Sequence, residues 1–253
     1  MTTILLVHGS CHGAWCWEKI IPRLAAEGHK AIAIDLPSHG ADDTPWWRVT
    51  LGAYTRAVCD AAREHGPVVA VGHSMGGGII TQAANEEPDL FAGLIYLSGF
   101  IPKSGETILG LARRDALWRG FSVPRYHLGT ITVWPERMVD TLYNTSDPRD
   151  AERAIARLTP QPMFPLVQAI AKPRDPFPPK AFIECLQDHT ISIELQRYMH
   201  ARFPMTGVAT LDTDHSPFYS APADLTKEIV RFTQEFAGAA STGENAPKVA
   251  ARA

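Results

Sequence analysis

The chain has 253 residues, of which 45% are apolar and 20% charged, with a formal net charge of −3. That is enough chain for one large domain with an ample core, in an ordinary globular balance. The slight negative charge supplies no basic footprint for nucleic acid or an anionic membrane, and no apolar run approaches the ~20 residues of a membrane span.

Met1-Thr2-Thr3 runs straight into Ile4-Leu5-Leu6-Val7, an apolar run that reads as a first strand and not as a secretory leader. A turn, His8-Gly9-Ser10-Cys11-His12-Gly13, precedes a predicted helix over 14–27 that stops at Gly28. Residues 30–36 form a second strand, Pro37 opens a polar loop, and 51–65 has helical periodicity up to Gly66-Pro67. Strand three, Val68-Val69-Ala70-Val71, ends in Gly72-His73-Ser74-Met75-Gly76, and a helix follows to about Glu87. Strand four covers 93–99. From about 102 to 179 the strand–helix rhythm breaks in a proline-rich segment with bulky apolar side chains, read as an inserted, mainly helical cap. Alternation then resumes with a strand at 180–186, a helix near 193–202, a strand at 207–211 and a closing helix at 222–236. The expected fold class is α/β, a doubly wound, mostly parallel sheet. Residues 1–101 and 180–237 make its core, 102–179 the cap and 238–253 a disordered tail.

Gly72-His73-Ser74-Met75-Gly76 has the G-x-S-x-G spacing of a nucleophile elbow, with the required strand before it and helix after it. The turn holds the serine hydroxyl clear of the main chain, and residues two before and two after must be small. The following helix points its amides and positive dipole end at the place where an oxyanion forms. Glycine-rich turns after strands are common, so the motif gains weight only from its context.

A serine hydroxyl needs a base, and the base needs an orienting acid. His215 follows the last strand and Asp188 the strand before it, giving the order Ser74, Asp188, His215. Asp212 and Asp214 are rivals for the acid, but lie too near His215 in sequence to reach the far side of its ring comfortably. Of the other histidines, His73 packs beneath the elbow, His8 and His12 flank the first turn, and His39 and His189 read as loop residues that cap or meet solvent. The Met75 amide and the Ser10 amide are the candidate oxyanion donors, and Gly9 lets the backbone approach closely. In the cap, Trp118, Phe121, Trp134 and Phe164 are candidates for an apolar substrate pocket. The four cysteines, Cys11, Cys16, Cys59 and Cys185, form no C-x-x-C pair. They read as reduced thiols of a cytoplasmic protein. No metal site or cofactor is expected, since no segment supplies a metal cage or a G-x-G-x-x-G phosphate loop.

Together, His8-Gly9-Ser10-Cys11-His12-Gly13-Ala14-Trp15-Cys16-Trp17, Gly72-His73-Ser74-Met75-Gly76-Gly77, Gln187-Asp188 and Asp214-His215 resemble one branch of the α/β hydrolases. That branch holds plant methylesterases, plant hydroxynitrile lyases and bacterial carboxylesterases, including pyrethroid hydrolases. The resemblance runs nearly to Phe236. It implies a Ser74–Asp188–His215 triad, a cap and no cofactor. The lyases carry Thr where Gly9 stands and Lys directly after the catalytic histidine, where this chain has Ser216. The expected activity is therefore a serine carboxylesterase acting on small to medium hydrophobic esters through an acyl-enzyme on Ser74. A hydroxynitrile lyase, or a non-catalytic small-molecule-binding protein on the same fold, is the alternative. The expected partner is a small-molecule ester, with neither nucleic acid nor membrane. The sequence leaves the oligomeric state open, a homodimer included.

Overall fold

The computed structural model describes residues 2–117, 125–127, 129–175 and 177–242. Short apolar runs make the strands of the main sheet. These are β1 (Thr3–Val7), β2 (Lys30–Ile34), β3 (Val68–His73), β4 (Phe91–Leu97), β8 (Lys180–Cys185) and β9 (Gly207–Leu211). They lie in the order β2-β1-β3-β4-β8-β9, with every neighbouring pair parallel. A parallel sheet is covered on both faces, and the two-residue period of a strand sends alternate side chains to opposite layers. Ile4, Leu6, Val69, Val71, Ile95 and Leu97 join one apolar layer with Leu24 and Phe236. Leu5, Val7, Val68, Ala70, Leu94 and Tyr96 join the other with Tyr54, Val58, Ile79 and Ile80. The first layer is closed by α1 (Ile21–Ala26) and α10 (Pro222–Thr242), the second by α2 (Leu51–His65) and α3 (Met75–Glu86). A Cβ on Gly93 would lie 2.1 Å from the Phe236 ring, so the bare glycine is what lets α10 seat on β4.

The chain leaves β1 outward to β2 and then crosses back to β3. The point between β1 and β3 is thus a topological switch, where a crevice opens at the carboxyl ends of the strands. The turn after β1 and the turn after β3 both face that crevice.

The segment between β4 and β8 is built from α4 (Ile108–Ala112), β5 (Arg125–His127), β6 (Thr130–Thr132), α5 (Met138–Leu142), α6 (Pro148–Ile155), β7 (Gln161–Pro162) and α7 (Phe164–Val167). Its strands pair antiparallel in the order β5-β6-β7. The mainly helical insertion therefore carries a small sheet that the sequence did not announce. Strands of two and three residues are too short to show alternation.

Two other expectations change. The helix expected over 14–27 is a 3₁₀ turn at Ala14–Trp17 followed by α1. Pro22, in the first turn of α1, has no amide to bond back, so the helix starts afresh there. The closing helix continues to Thr242, so residues 238–242 are helical, while 243–253 lie outside the described residues. No helix among the described residues is long and apolar enough to cross a membrane.

Candidate active site

β3 ends at His73 and α3 begins at Met75, leaving Ser74 alone in the turn with φ 52° and ψ −119°. A positive φ on a residue with a side chain costs about 1–3 kcal/mol and persists only where the surroundings over-determine it. They do so here. A Cβ on Gly72 would lie 2.6 Å from the Gly76 carbonyl oxygen, and one on Gly76 would lie 2.7 Å from the carbonyl oxygens of both Val7 and His8. Residues two before and two after the serine are bare because backbone fills the space. The β1 turn is pressed onto the elbow in the same way, since a Cβ on Gly9 would meet His73 Nδ1 at 2.8 Å and Ser74 Cβ at 2.9 Å.

Asp188 follows β8 and His215 follows its sheet neighbour β9. His215 Nδ1–H donates to Asp188 Oδ2 at 2.7 Å, with both side chains buried. Asp188 Oδ1 accepts the amides of Thr190 and Ile191 at 2.7 and 2.8 Å, and Oδ2 also accepts the Ser98 hydroxyl at 2.5 Å. The two rival acids are engaged elsewhere. Asp214 accepts the Thr145 amide, the Ser146 hydroxyl, the Ser216 amide and the Ser220 hydroxyl. Asp212 accepts the side-chain amide of Gln187 at 2.8 Å.

Beneath these groups lies a floor of histidines. The His73 and His215 ring centroids are 4.6 Å apart, and His73 Nε2–H donates to the His215 carbonyl at 2.7 Å. His12 Nδ1–H donates to the Ser10 carbonyl at 2.8 Å, while its Nε2 accepts the Tyr143 hydroxyl at 2.7 Å. His8 Nδ1–H donates to the Gly9 carbonyl and its Nε2 accepts the Leu36 amide. Burial lowers the pKa of His12 to about 4 and pushes His8 and His73 well below the ordinary histidine value. These rings are neutral and hold the turns through fixed tautomers. His39, expected in a loop as a cap or in solvent, is fully buried beside Gln161, and burial lowers its pKa too.

Ser10, Cys11, Ser74 and His215 border one cavity of about 1010 Å³, mouth included. Its walls are largely apolar: Phe100, then Ile108 and Leu109 of α4, Ile131 of β6, Leu142 of α5 and Leu166 of α7. The insertion therefore contributes most of the wall. Of the sequence-based pocket candidates, Trp134 lines the cavity, while Phe164 is 55% exposed and Leu166, two residues on, takes the wall position. Gly9 stays behind the elbow instead of on the wall, and Trp118 and Phe121 lie outside the described residues. The Met75 side chain is buried while its amide opens α3. Sequence reasoning missed Ser98, Ile108 and Leu166. A serine directly after a strand's carboxyl end was a usable signal for the first, whereas the other two look like any core residue. All four cysteines are free and buried, and burial pushes the Cys11 thiol up to about 12. Among the described residues, no group of three or more His, Cys, Asp or Glu side chains is placed to hold a metal ion.

A serine elbow at the switch point of a parallel sheet, with an Asp–His pair delivered from the next strand ends, is the architecture of an α/β hydrolase. The chain belongs to the alpha/beta hydrolase family, whose sequence profile matches residues 4–228. Among curated relatives it is 29% identical to Methylesterase 1 of Arabidopsis thaliana, covering 92% of this chain and 96% of that protein. It is also 29% identical to a pyrethroid hydrolase of Sphingobium wenxiniae, covering 92% and 88%. Solved structures include an Arabidopsis methylesterase with a TM-score of 0.80 at 26% identity, covering 92% of this chain and 99% of that one. A pyrethroid hydrolase structure superposes with a TM-score of 0.81 at 28% identity, covering 92% and 98%.

Proposed function

We propose that the protein is a serine carboxylesterase acting on small to medium hydrophobic esters. The observation that carries this is the strained Ser74 sharing one apolar cavity with a buried, Asp188-bonded His215. Relatives named methylesterase and pyrethroid hydrolase support it.

In this reading Ser74 Oγ attacks the ester carbonyl while His215 Nε2 takes its proton. Asp188 holds the Nδ1–H tautomer and balances the imidazolium that forms. The amides of Ser10 and Met75 hold the oxyanion, helped by the N-terminus of α3. His215 returns its proton to the leaving alkoxide, and the alcohol departs. Water, deprotonated by His215, then attacks the acyl carbonyl, and His215 returns that proton to Ser74 Oγ as the acid leaves. The insertion acts as a cap whose apolar wall receives the hydrophobic part of the ester. Discrimination among apolar esters is graded, because each methylene accommodated is worth about 1–3 kcal/mol.

The test is a panel of chromogenic esters varied separately on the acyl and alcohol sides, together with labelling by a fluorophosphonate. The wild type should turn over apolar esters and take the label on Ser74, and Ser74→Ala should lower kcat by about 10⁴-fold or more with the fold intact. Binding of esters without turnover would make the protein a small-molecule binder and overturn the proposal, as would an adduct on any other residue.

A further inference from the structure

We propose that Ser98 is a positioning residue of the acid–base pair, holding Asp188 Oδ2 on the His215 ring through its hydroxyl; this rests on the serine-hydrolase reading. Ser98 follows β4 directly and is fully buried. Its hydroxyl donates at 2.5 Å to Asp188 Oδ2, the same oxygen that accepts His215 Nδ1–H at 2.7 Å. The other oxygen is already fixed by two amides from the loop after β8. The carboxylate therefore receives donors from three separate strand ends, and Ser98 is the contribution of β4.

The backbone supplies an independent reason. Ser98 has φ 39°, a left-handed conformation that a serine adopts at a cost. Its amide donates to the Ile183 carbonyl at 2.9 Å, so the strained residue is pinned to β8, the strand that leads into Asp188. A glycine would take this φ without strain. The chain instead keeps a side chain there, and its one polar atom meets the carboxylate. Strain of this kind collects where geometry is being enforced for function.

A carboxylate oxygen that accepts a hydroxyl shares its charge between two donors. Without the hydroxyl, more negative charge faces the imidazole, and Oδ2 keeps only the His215 ring as a donor while the two amides still hold Oδ1. Removing it should therefore favour the imidazolium, moving the acid limb of the rate profile to higher pH, and should lower the rate through lost alignment. The other titratable groups around the pair are His73 and His12 on the ring side, with Cys185 and Asp214 near the carboxylate. Burial keeps the two histidines neutral and the thiol protonated, and Asp214 holds its own donors. His189, next in the chain, turns away to Asp140.

The experiment compares Ser98→Ala, which keeps the strain, with Ser98→Gly, which relieves it. Three readouts are taken: the pH profile of kcat/KM, the pH profile of fluorophosphonate labelling, and the low-field proton resonance of His215 Nδ1–H, assigned by its absence in His215→Gln. Both variants should lose about tenfold in kcat with little change in KM, the scale of one hydrogen bond to a charged group. Both should shift the acid limb upward and move the resonance, and Ser98→Gly should melt at or above Ser98→Ala. Wild-type kinetics and an unmoved resonance in Ser98→Gly would overturn the proposal, whatever the melting temperature does. Loss in Ser98→Ala alone would also overturn it, by assigning the role to the backbone. The resonance needs no turnover. A wild type that cleaves no ester therefore sinks the esterase reading, while the resonance still decides the role of Ser98.

Discussion

Asp188, Asp212 and Asp214 follow the ends of the neighbouring strands β8 and β9, yet their partners give each a different task. Asp188 accepts the His215 ring N–H and three further donors, so its charge is both oriented and compensated. Asp188→Asn would turn an amide N–H toward His215 and favour the wrong tautomer, so kcat should fall on the order of 10⁴-fold with a near-normal melting temperature. The buried Asp214 ties the exposed Thr145 and half-buried Ser146 of the insertion to the buried Ser216 and half-buried Ser220 of the core. Asp214→Asn leaves some of these donors unpaired and should cost about 1–3 kcal/mol of stability with a milder loss of activity. Asp212 lies beside an exposed Gln187 contact, so Asp212→Asn should change neither quantity much. Kinetics and thermal melts on the three variants separate these cases. A dead Asp214 or Asp212 variant beside a near-normal Asp188 variant would reverse the assignment.

At the scale of elements, the glycines of α3 show why the turn could be read from sequence and the cavity could not. Gly76 faces two backbone carbonyl oxygens of β1 and its turn, each 2.7 Å from a would-be Cβ. Backbone in the middle of a parallel sheet cannot step aside, so Gly76→Ala should force α3 off the sheet and cost at least the roughly 1–3 kcal/mol typical of overpacking. Soluble yield and melting temperature would show it. Gly78 sits half a turn further along α3, and its Cβ would meet the tip of Ile108 at 2.6 Å. A side-chain tip can rotate away, so Gly78→Ala should fold. Because Ile108 lines the cavity, the variant should change the preference order among esters. An unaltered preference order with a large loss of stability would contradict this. The elbow was legible because its constraint is local: strand, turn and helix are consecutive, and only glycine fits at fixed offsets from Ser74. The Asp188–His215 pair was legible from chain order and strand ends. The walls were not, because Ile108, Ile131 and Leu166 converge from three elements of the insertion, and nothing local distinguishes a wall leucine from a core leucine. The aromatic side chains chosen for size from the sequence fared unevenly for that reason, with Trp134 on the wall and Phe164 half outside.

For the molecule as a whole, the join between sheet and insertion runs through neutral histidines. His12 accepts from Tyr143 at the end of α5, and His39 meets Gln161 of β7, which also donates to Tyr54 of α2. Burial lowers the pKa of both rings, as it does for His8 and His73 beneath the elbow. The sign of the linkage follows. In the unfolded chain these side chains take up protons as pH falls through about 6.5, whereas the folded protein refuses them until much lower pH. Stability is therefore at its full value above about pH 6.5. It falls as pH drops below that, by about 1.4 kcal/mol per pH unit for each ring that the unfolded state alone protonates. His12, with its pKa lowered to about 4, accounts for about 3 kcal/mol of loss by the time its folded form titrates. Carboxylates titrate mostly below about pH 4.5, so the interval from 6.5 to 4.5 isolates the histidines. Urea unfolding at pH 8, 7, 6 and 5 should give a midpoint that is flat at the top of this range and drops steeply at the bottom. His12→Gln, which removes one of these rings, should start from lower stability but lose less on acidification. A local opening that breaks the His12–Tyr143 contact frees a ring that takes up a proton at pH 5, so the protection of α5 amides against exchange should fall at pH 5 before that of β1 and β3 does. A midpoint that stays level to pH 5, or β1 amides exchanging as early as those of α5, would show that the histidines do not govern the join.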